Sequence, residues 1–200
     1  MDRLKERDPE KYKHLILGGW KEKAEGVIFT NWMQDPFVWN GDHIGIGIDF
    51  GFSNDPTAAT LINIDTKSKR IYLKQLIYRT GLTTSEISEK LKDKVKRLDK
   101  MLLIGDSAEP RLIHELRTNH KINIKPSIKG QGSIMAGIAL MQDYQLVVDP
   151  SSKDIVRELN NYVFKDDKEV PIDDWNHALD GIRYFVAYHL TKARGQYFIG

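Results

Sequence analysis

The stretch Ile44-Gly45-Ile46-Gly47-Ile48-Asp49-Phe50 constrains this chain more than any other. Isoleucine alternating with glycine has the period of two that belongs to a strand. Glycine inside a strand usually marks a place where another backbone comes close. The segment therefore reads as a buried central strand against which other backbone packs, with one carboxylate, Asp49, inside it.

From there the pattern is α/β. Ala58–Asp65 and Arg70–Tyr78 read as two strands around the polar turn Thr66-Lys67-Ser68-Lys69, a hairpin. Thr83-Thr84-Ser85-Glu86 has capping-box spacing and opens a helix expected to reach Lys96. Met101–Asp106 is a short apolar strand ending on an acid. After it come a helix over Glu109–Thr118, a strand over Ile122–Lys125, a helix over Ser133–Gln142 and a strand over Leu146–Val148. Ser151-Ser152-Lys153-Asp154 repeats the capping-box spacing before a helix to Asn160. Tyr162–Lys165 and Glu169–Ile172 flank Asp166-Asp167-Lys168 as a small hairpin, and a last helix is expected from Asp174 to Leu190. An early hairpin followed by alternating strands and helices predicts a mixed sheet with helices on both faces. Residues 1–40 differ. They are charged up to Lys23 and carry Trp20, Trp32 and Trp39 without a period, which reads as an N-terminal arm or linker before a domain over 41–200.

Two hundred residues, 40% apolar and 29% charged, suit a soluble globular domain with its own core. A net charge of +2 leaves any phosphate-binding surface to the local distribution of charge. Cysteine is absent, so a metal bound by this chain must sit on carboxylate, imidazole or carbonyl groups. No apolar run approaches the length of a membrane span, and the first residues hold no hydrophobic signal core; an intracellular protein away from membranes is expected.

Three acids stand out. Asp49, among isoleucines, is costly to bury unless it is paired or ligates a metal, or is satisfied at the strand end by backbone donors or water. Asp106 closes a strand at Ile104-Gly105-Asp106-Ser107, where ligands of α/β sheets bind, though it or Ser107 is equally suited to cap the next helix. Asp180 lies on a helix whose apolar face is Ala178, Leu179, Ile182, Phe185, Val186 and Leu190. Asp173, His177, Asp180 and Tyr184 gather on the opposite face, which periodicity alone reads as solvated. Together the acids suggest a carboxylate cluster for two hard divalent cations, Mg²⁺ or Mn²⁺, of the kind that cleaves phosphodiesters, with Asp49 placed to bridge both ions.

Longer motifs carry a resemblance. Gly47-Ile48-Asp49-Phe50-Gly51-Phe52-Ser53-Asn54-Asp55-Pro56-Thr57-Ala58 resembles the opening motif of the nuclease domain in tailed-phage terminase large subunits. Gly105-Asp106-Ser107-Ala108-Glu109-Pro110 and His177-Ala178-Leu179-Asp180-Gly181-Ile182-Arg183-Tyr184 match two further segments. Asp8-Pro9-Glu10-Lys11-Tyr12-Lys13, Leu17-Gly18-Gly19-Trp20 and Glu25-Gly26 resemble the family's linker between motor and nuclease. All occur in the family's order over nearly the whole chain. The resemblance implies a ribonuclease H-like fold and two-metal endonuclease activity on double-stranded DNA during genome packaging. Asp49, Asp106 and Asp180 would be metal ligands and His177 a residue for proton transfer or water orientation, as its unperturbed pKa suits. Asp173, Asp174 and Glu109 are candidate minor ligands, because terminases place the fourth polar residue differently. The terminase small subunit and the portal protein are the partners implied, the host cytoplasm is the implied setting, and the isolated domain is expected to be a monomer.

For DNA contact the reading favours Lys129, Gln131 and Ser133 in a flexible loop opening a helix, against a plain turn and cap. Lys165 and Lys168 on the charged hairpin are the second choice, against simple solvation. His14, His43, His114, His120 and His189 show no metal spacing and read as surface or packing residues. The family's ATP-driven motor needs a Gly-x-x-x-x-Gly-Lys-[Ser/Thr] loop that this sequence does not contain, so cutting without translocation is expected of it. Two other classes compete: a catalytically silent docking module of the same fold, and an actin-like or sugar-kinase fragment, whose opening Asp-x-Gly is similar.

Overall fold

In chain order the strands are β1 (Trp32–Gln34), β2 (His43–Asp49), β3 (Thr57–Asp65), β4 (Arg70–Arg79), β5 (Leu102–Gly105), β6 (Ile124–Pro126) and β7 (Gln145–Val148). The helices are α1 (Thr84–Lys94), α2 (Pro110–Thr118), α3 (Ser133–Gln142), α4 (Lys153–Asn161) and α5 (His177–Ala193). The structure, a computed structural model, describes residues 26–165 and 170–193. One seven-stranded sheet runs in the order β1-β7-β4-β3-β2-β5-β6. The β2–β3 and β3–β4 pairs are antiparallel, and β1–β7, β4–β7, β2–β5 and β5–β6 are parallel. This is the mixed sheet that the element pattern predicts, with β3 at its centre and buried from Thr57 to Ile64.

The helices divide between the faces. Ile46, Ile48 and Leu61 pack with Ile87 and Leu91 of α1 and with Ile113 and Leu116 of α2. Ile62, Ile64, Ile71 and Leu73 pack with Ile138 of α3, Ile155 and Leu159 of α4, and Leu179, Ile182 and Phe185 of α5. The isoleucines of β2 thus face α1 and α2, and its glycines face α5. A Cβ on Gly47 would lie 2.0 Å from the Gly181 carbonyl oxygen, and one on Gly45 would lie 2.4 Å from Phe185. Only a strand without side chains there lets the α5 backbone come down onto it.

Several local expectations change. Trp32–Gln34, read as arm, is an edge strand parallel to β7, and Ile28 and Phe29 are buried in the core. Packing therefore shows no break at residue 40. The Thr83–Glu86 capping box forms, but α1 stops at Lys94, because Val95 is extended and Arg97 is left-handed (φ 63°). The second capping box does not form. Ser152 stands at the N-cap of α4 without capping it; its Oγ accepts from Gln75 N at 2.9 Å and Asp154 accepts from Gln75 Nε2 at 2.6 Å, so these residues tie α4 to β4. The last helix begins at His177, three residues late, since Trp175 is left-handed (φ 59°) and interrupts helical backbone. Among the described residues, no helix is long and apolar enough to cross a membrane.

Candidate functional site

Two neighbouring strands end together. Ile48 of β2 is in register with Gly105 of β5, and Asp106 N donates to Ile48 O at 3.3 Å. Asp49 and Asp106 therefore leave the sheet side by side at its carboxyl edge, where α/β folds hold ligands. Asp106 is not a helix cap: the N-cap of α2 is Glu109, which makes no side-chain cap bond. Instead Asp106 Oδ1 accepts from Ala108 N at 2.8 Å, which turns the chain and fixes the carboxylate. Ser107 does not cap either; its amide donates to Ser127 Oγ at 3.0 Å.

The third acid arrives through close backbone contact. Gly45, Gly47 and Asp49 share one face of β2 by their spacing of two. α5 lies on that face with Gly181 against Gly47, so Asp180, one residue earlier, is delivered to Asp49. Burial pushes the Asp180 carboxyl above its usual range; the Asp49 charge adds to this and the Arg183 guanidinium opposes it. The face that periodicity reads as solvated is enclosed around Asp180 and Tyr184. Tyr184 is 4% exposed, and the Asp180 side chain keeps 20% of its exposure.

Each acid leans on a cation or a donor. Arg183, buried, donates Nε and Nη2 to Asp180 Oδ1 at 3.1 and 2.9 Å, leaving Oδ2 for other partners. Lys129 Nζ is 2.5 Å from Asp106 Oδ1, and Tyr184 Oη donates to Asp106 Oδ2 at 3.3 Å. His177 Nδ1 is 3.4 Å from Asp49 Oδ2, and its Nε2 is 3.9 Å from Asp55 Oδ1. The imidazole is pushed up in pKa, first by the neighbouring Asp49 carboxylate and against the effect of burial. Burial and the three nearby acids hold the Tyr184 phenol well above its usual range, so it acts as a donor.

The Asp55-Pro56-Thr57-Ala58 motif closes the mouth. A Cβ on Gly51 would sit 2.1 Å from Asp55 O, and Thr57 Oγ1 donates to Gly51 O while accepting from Gly51 N, both at 3.3 Å. Ala58 is opposite Asp49 in register, where a small side chain leaves the carboxylate room.

Among the described residues, no three His, Asp or Glu side chains stand ready-made as a metal cage. The donor set nevertheless fits hard divalent cations, because it supplies carboxylate oxygens in one crevice with mutual charge repulsion that an ion would relieve. The residues that would hold such ions are Asp49, Asp106 and Asp180.

Other expectations find different places. Asp173, Asp174 and Glu109 are exposed, and none of their side chains meets the three acids in the observed hydrogen bonds or ion pairs; Glu109 touches Asp106 only through the backbone, its N–H donating to Asp106 O at 3.2 Å. Lys129 is held on Asp106 rather than extended as a free loop lysine. Gln131 is exposed, Ser133 starts α3, and Lys165 is exposed beside a short pairing of Phe164 with Pro171. Lys168 lies outside the described residues. Arg183 and Ser127 join the site without being among the residues expected from the sequence, and Tyr184 belongs to it as more than a member of a polar face. Arg183 stands three residues after Asp180, the helical spacing at which ion pairs form, so a signal was present.

Comparison with known proteins agrees with this fold. The family model for the terminase RNase H-like domain matches residues 49–188. The chain is 32% identical over 209 residues to the terminase large subunit of Bacillus phage SPP1, covering 96% of this chain and 48% of that protein. It thus spans about half the length of that curated relative. The solved nuclease domain of the SPP1 large terminase, with bound Mn, superposes with a TM-score of 0.71 at 27% identity, covering 80% of this chain and 97% of that one. The large terminase of the thermophilic bacteriophage D6E shares the fold, with a TM-score of 0.67 at 22% identity over 94% of this chain and 51% of that one.

Proposed function

Because this chain belongs to the terminase RNase H-like domain family, we propose that it is a divalent-metal-dependent endonuclease that cuts double-stranded, concatemeric phage DNA during genome packaging. The convergence of Asp49, Asp106 and Asp180 at the carboxyl edge of the sheet carries this reading. The fold is ribonuclease H-like, a mixed seven-stranded sheet with five helices among the described residues.

In this reading Asp49, Asp106 and Asp180 would hold two Mg²⁺ or Mn²⁺ ions. Ions so bound supply Lewis-acid activation of water and stabilisation of the leaving 3′ oxygen. Arg183 fixes one oxygen of Asp180, and Tyr184 with Lys129 orients Asp106, so that both carboxylates are set before substrate arrives. His177 keeps its Nδ1 against Asp49 and offers Nε2 at the mouth, where it exchanges a proton with water or substrate. Duplex DNA lies across the strand ends, its phosphates met by Lys129 beside Asp106 and by Arg79 and Arg157, which line a pocket with Asp55 and His177. Such contacts are insensitive to sequence and weaken with salt. Gln131 and Ser133 at the start of α3, together with Lys165, extend that surface.

The remaining length of the relatives is the place for the ATP-driven motor, and residues 1–40 serve as the arm or linker from it. The terminase small subunit and the portal protein are the partners, in the host cytoplasm.

Cutting of supercoiled plasmid in Mn²⁺ or Mg²⁺ tests the proposal. Wild type should nick and linearise only with metal, and Asp49→Ala, Asp106→Ala and Asp180→Ala should not. A wild-type chain that binds duplex DNA but never cuts it, with the variants indistinguishable from it, would instead mark a docking module.

A further inference from the structure

Glu158 is a carboxylate that the chemistry above does not use. It sits in α4 on the stripe Ile155, Glu158, Leu159 and Tyr162, whose members are all buried; Glu158 itself is 0% exposed. An acid in such a place is costly unless donors meet it. Three do. Tyr78 Oη donates to Oε1 at 3.0 Å, Ala178 N to Oε1 at 3.1 Å and Leu179 N to Oε2 at 3.0 Å.

Two of these donors are first-turn amides of α5, which no carbonyl of their own helix reaches. Negative charge at a helix N-terminus is also favoured by the helix dipole. His177 immediately precedes the first of the two amides, and Asp180 immediately follows the second. We propose that Glu158 is a positioning residue: by gripping the first turn of α5 from the neighbouring helix, it sets the rotation and height at which His177 and Asp180 meet Asp49. Two anchors then locate α5, Glu158 at its start and the Gly47–Gly181 contact within the next turn. Burial raises the Glu158 carboxyl to about 7 against the lowering effect of all three hydrogen bonds. A residue that only filled space would do so better as leucine, which the grip on α5 explains. The proposal rests on the nuclease reading above.

Glu158→Gln, Glu158→Ala and Tyr78→Phe in the full chain separate the roles. Glutamine keeps the shape but turns an amide donor toward a donor of α5 or Tyr78. Tyr78→Phe removes one donor and leaves both α5 amides gripped. Each variant is measured for its kcat and KM on duplex DNA at saturating Mn²⁺, for Mn²⁺ affinity by electron paramagnetic resonance, and for thermal melting.

Glu158→Gln should remain folded, lose about tenfold to a hundredfold in kcat, and keep KM within about twofold, as expected for misplacement by a fraction of an ångström. Its Mn²⁺ affinity should fall several-fold, and Tyr78→Phe should stay near wild type in both. Unchanged kcat and Mn²⁺ affinity in Glu158→Gln would overturn the proposal, as would a loss confined to KM or a Tyr78→Phe variant as impaired as Glu158→Gln. If Glu158→Ala does not fold, Glu158→Gln decides. If wild type binds Mn²⁺ and cuts nothing, the nuclease reading fails, and the Mn²⁺ comparison alone still decides whether Glu158 positions the site.

Discussion

The two faces of the sheet are built on different principles. Against α1 and α2 the core is aliphatic: Ile46, Ile48, Leu61, Ile87, Leu91, Leu103, Ile113 and Leu116 fill it. Against α3, α4 and α5 the core is also apolar at its centre, but it encloses Glu158 and Arg183, each committed to a partner near the crevice. The first face rests mainly on volume and hydrophobicity, which tolerate exchange, with the Thr84–Glu115 hydrogen bond joining α1 to α2. The second holds polar groups whose loss leaves another buried group without its partner. Stability can be drawn from either face, but geometry at Asp49 depends on the second alone.

That contrast can be broken in several ways. The largest effect is expected from Asp49→Asn, which should lower metal-dependent cutting by about a thousandfold or more while melting near the wild-type temperature, read by plasmid cutting and calorimetry. Its counterpart is Leu91→Ala in α1, which should cost about 2–5 kcal/mol of stability, yet the folded fraction should cut at the wild-type rate. A Leu91 variant that melts normally but cuts poorly would erase the distinction between the faces.

Next comes the glycine contact. Gly47→Ala puts a Cβ 2.0 Å from backbone and must lift α5, whereas Gly181→Ala meets Gly47 backbone at 3.2 Å and needs a smaller shift. We expect Gly47→Ala to lose about 1–3 kcal/mol and most of its activity, and Gly181→Ala to lose less of both. The order is checked by melting and cutting on the same preparations.

The pH dependence should separate the faces as well. Glu158 has a folded pKa of about 7, above its ordinary 4.5, so the native state binds the proton more tightly than the unfolded chain. Its contribution is present below about pH 4.5 and is lost as pH rises toward 7 and beyond. Stability should therefore decline by about 1–3 kcal/mol between pH 5 and pH 8, and Glu158→Gln should flatten that decline. Denaturant titrations across the range measure it, and an equal slope in the variant would contradict the assignment.

The smallest effect concerns Lys129. If its main role is the ion pair with Asp106, Lys129→Ala frees that carboxylate and lowers the Mn²⁺ concentration for half-maximal cutting by up to about fivefold, the scale of a half-exposed pair. If it instead holds a DNA phosphate, KM for DNA rises and becomes less salt-dependent.

Much of the architecture was legible in the chain. The period of two in β2, the hairpin after it and the capping box of α1 are local patterns, and the sheet with helices on both faces follows from their order. β1 was missed, because three residues at an edge carry too little pattern to stand out. The second capping box was misread, because Ser152 and Asp154 satisfy the sheet rather than their own helix. Asp49 was conspicuous as a carboxylate among isoleucines. Asp180 was not: on periodicity it belonged to a wet face, and only the longer motif around it argued otherwise. Glu158 interrupts an apolar stripe, a signal present in the sequence.

The sequence by itself determined which residues could approach one another, since Gly47 in β2 and Gly181 in α5 let the two backbones meet and Gly45 leaves room for the Phe185 ring. It also determined the chemistry on offer, oxygen ligands without thiolates. Tertiary structure alone decided that the polar side of α5 faces the strand ends rather than water, and that Lys129 and Arg183 lean on acids. Helical periodicity gives the angle between side chains on one helix but not the direction in which that helix is turned. That direction comes from contacts far apart in sequence, Gly47 with Gly181 and Glu158 with the amides of Ala178 and Leu179.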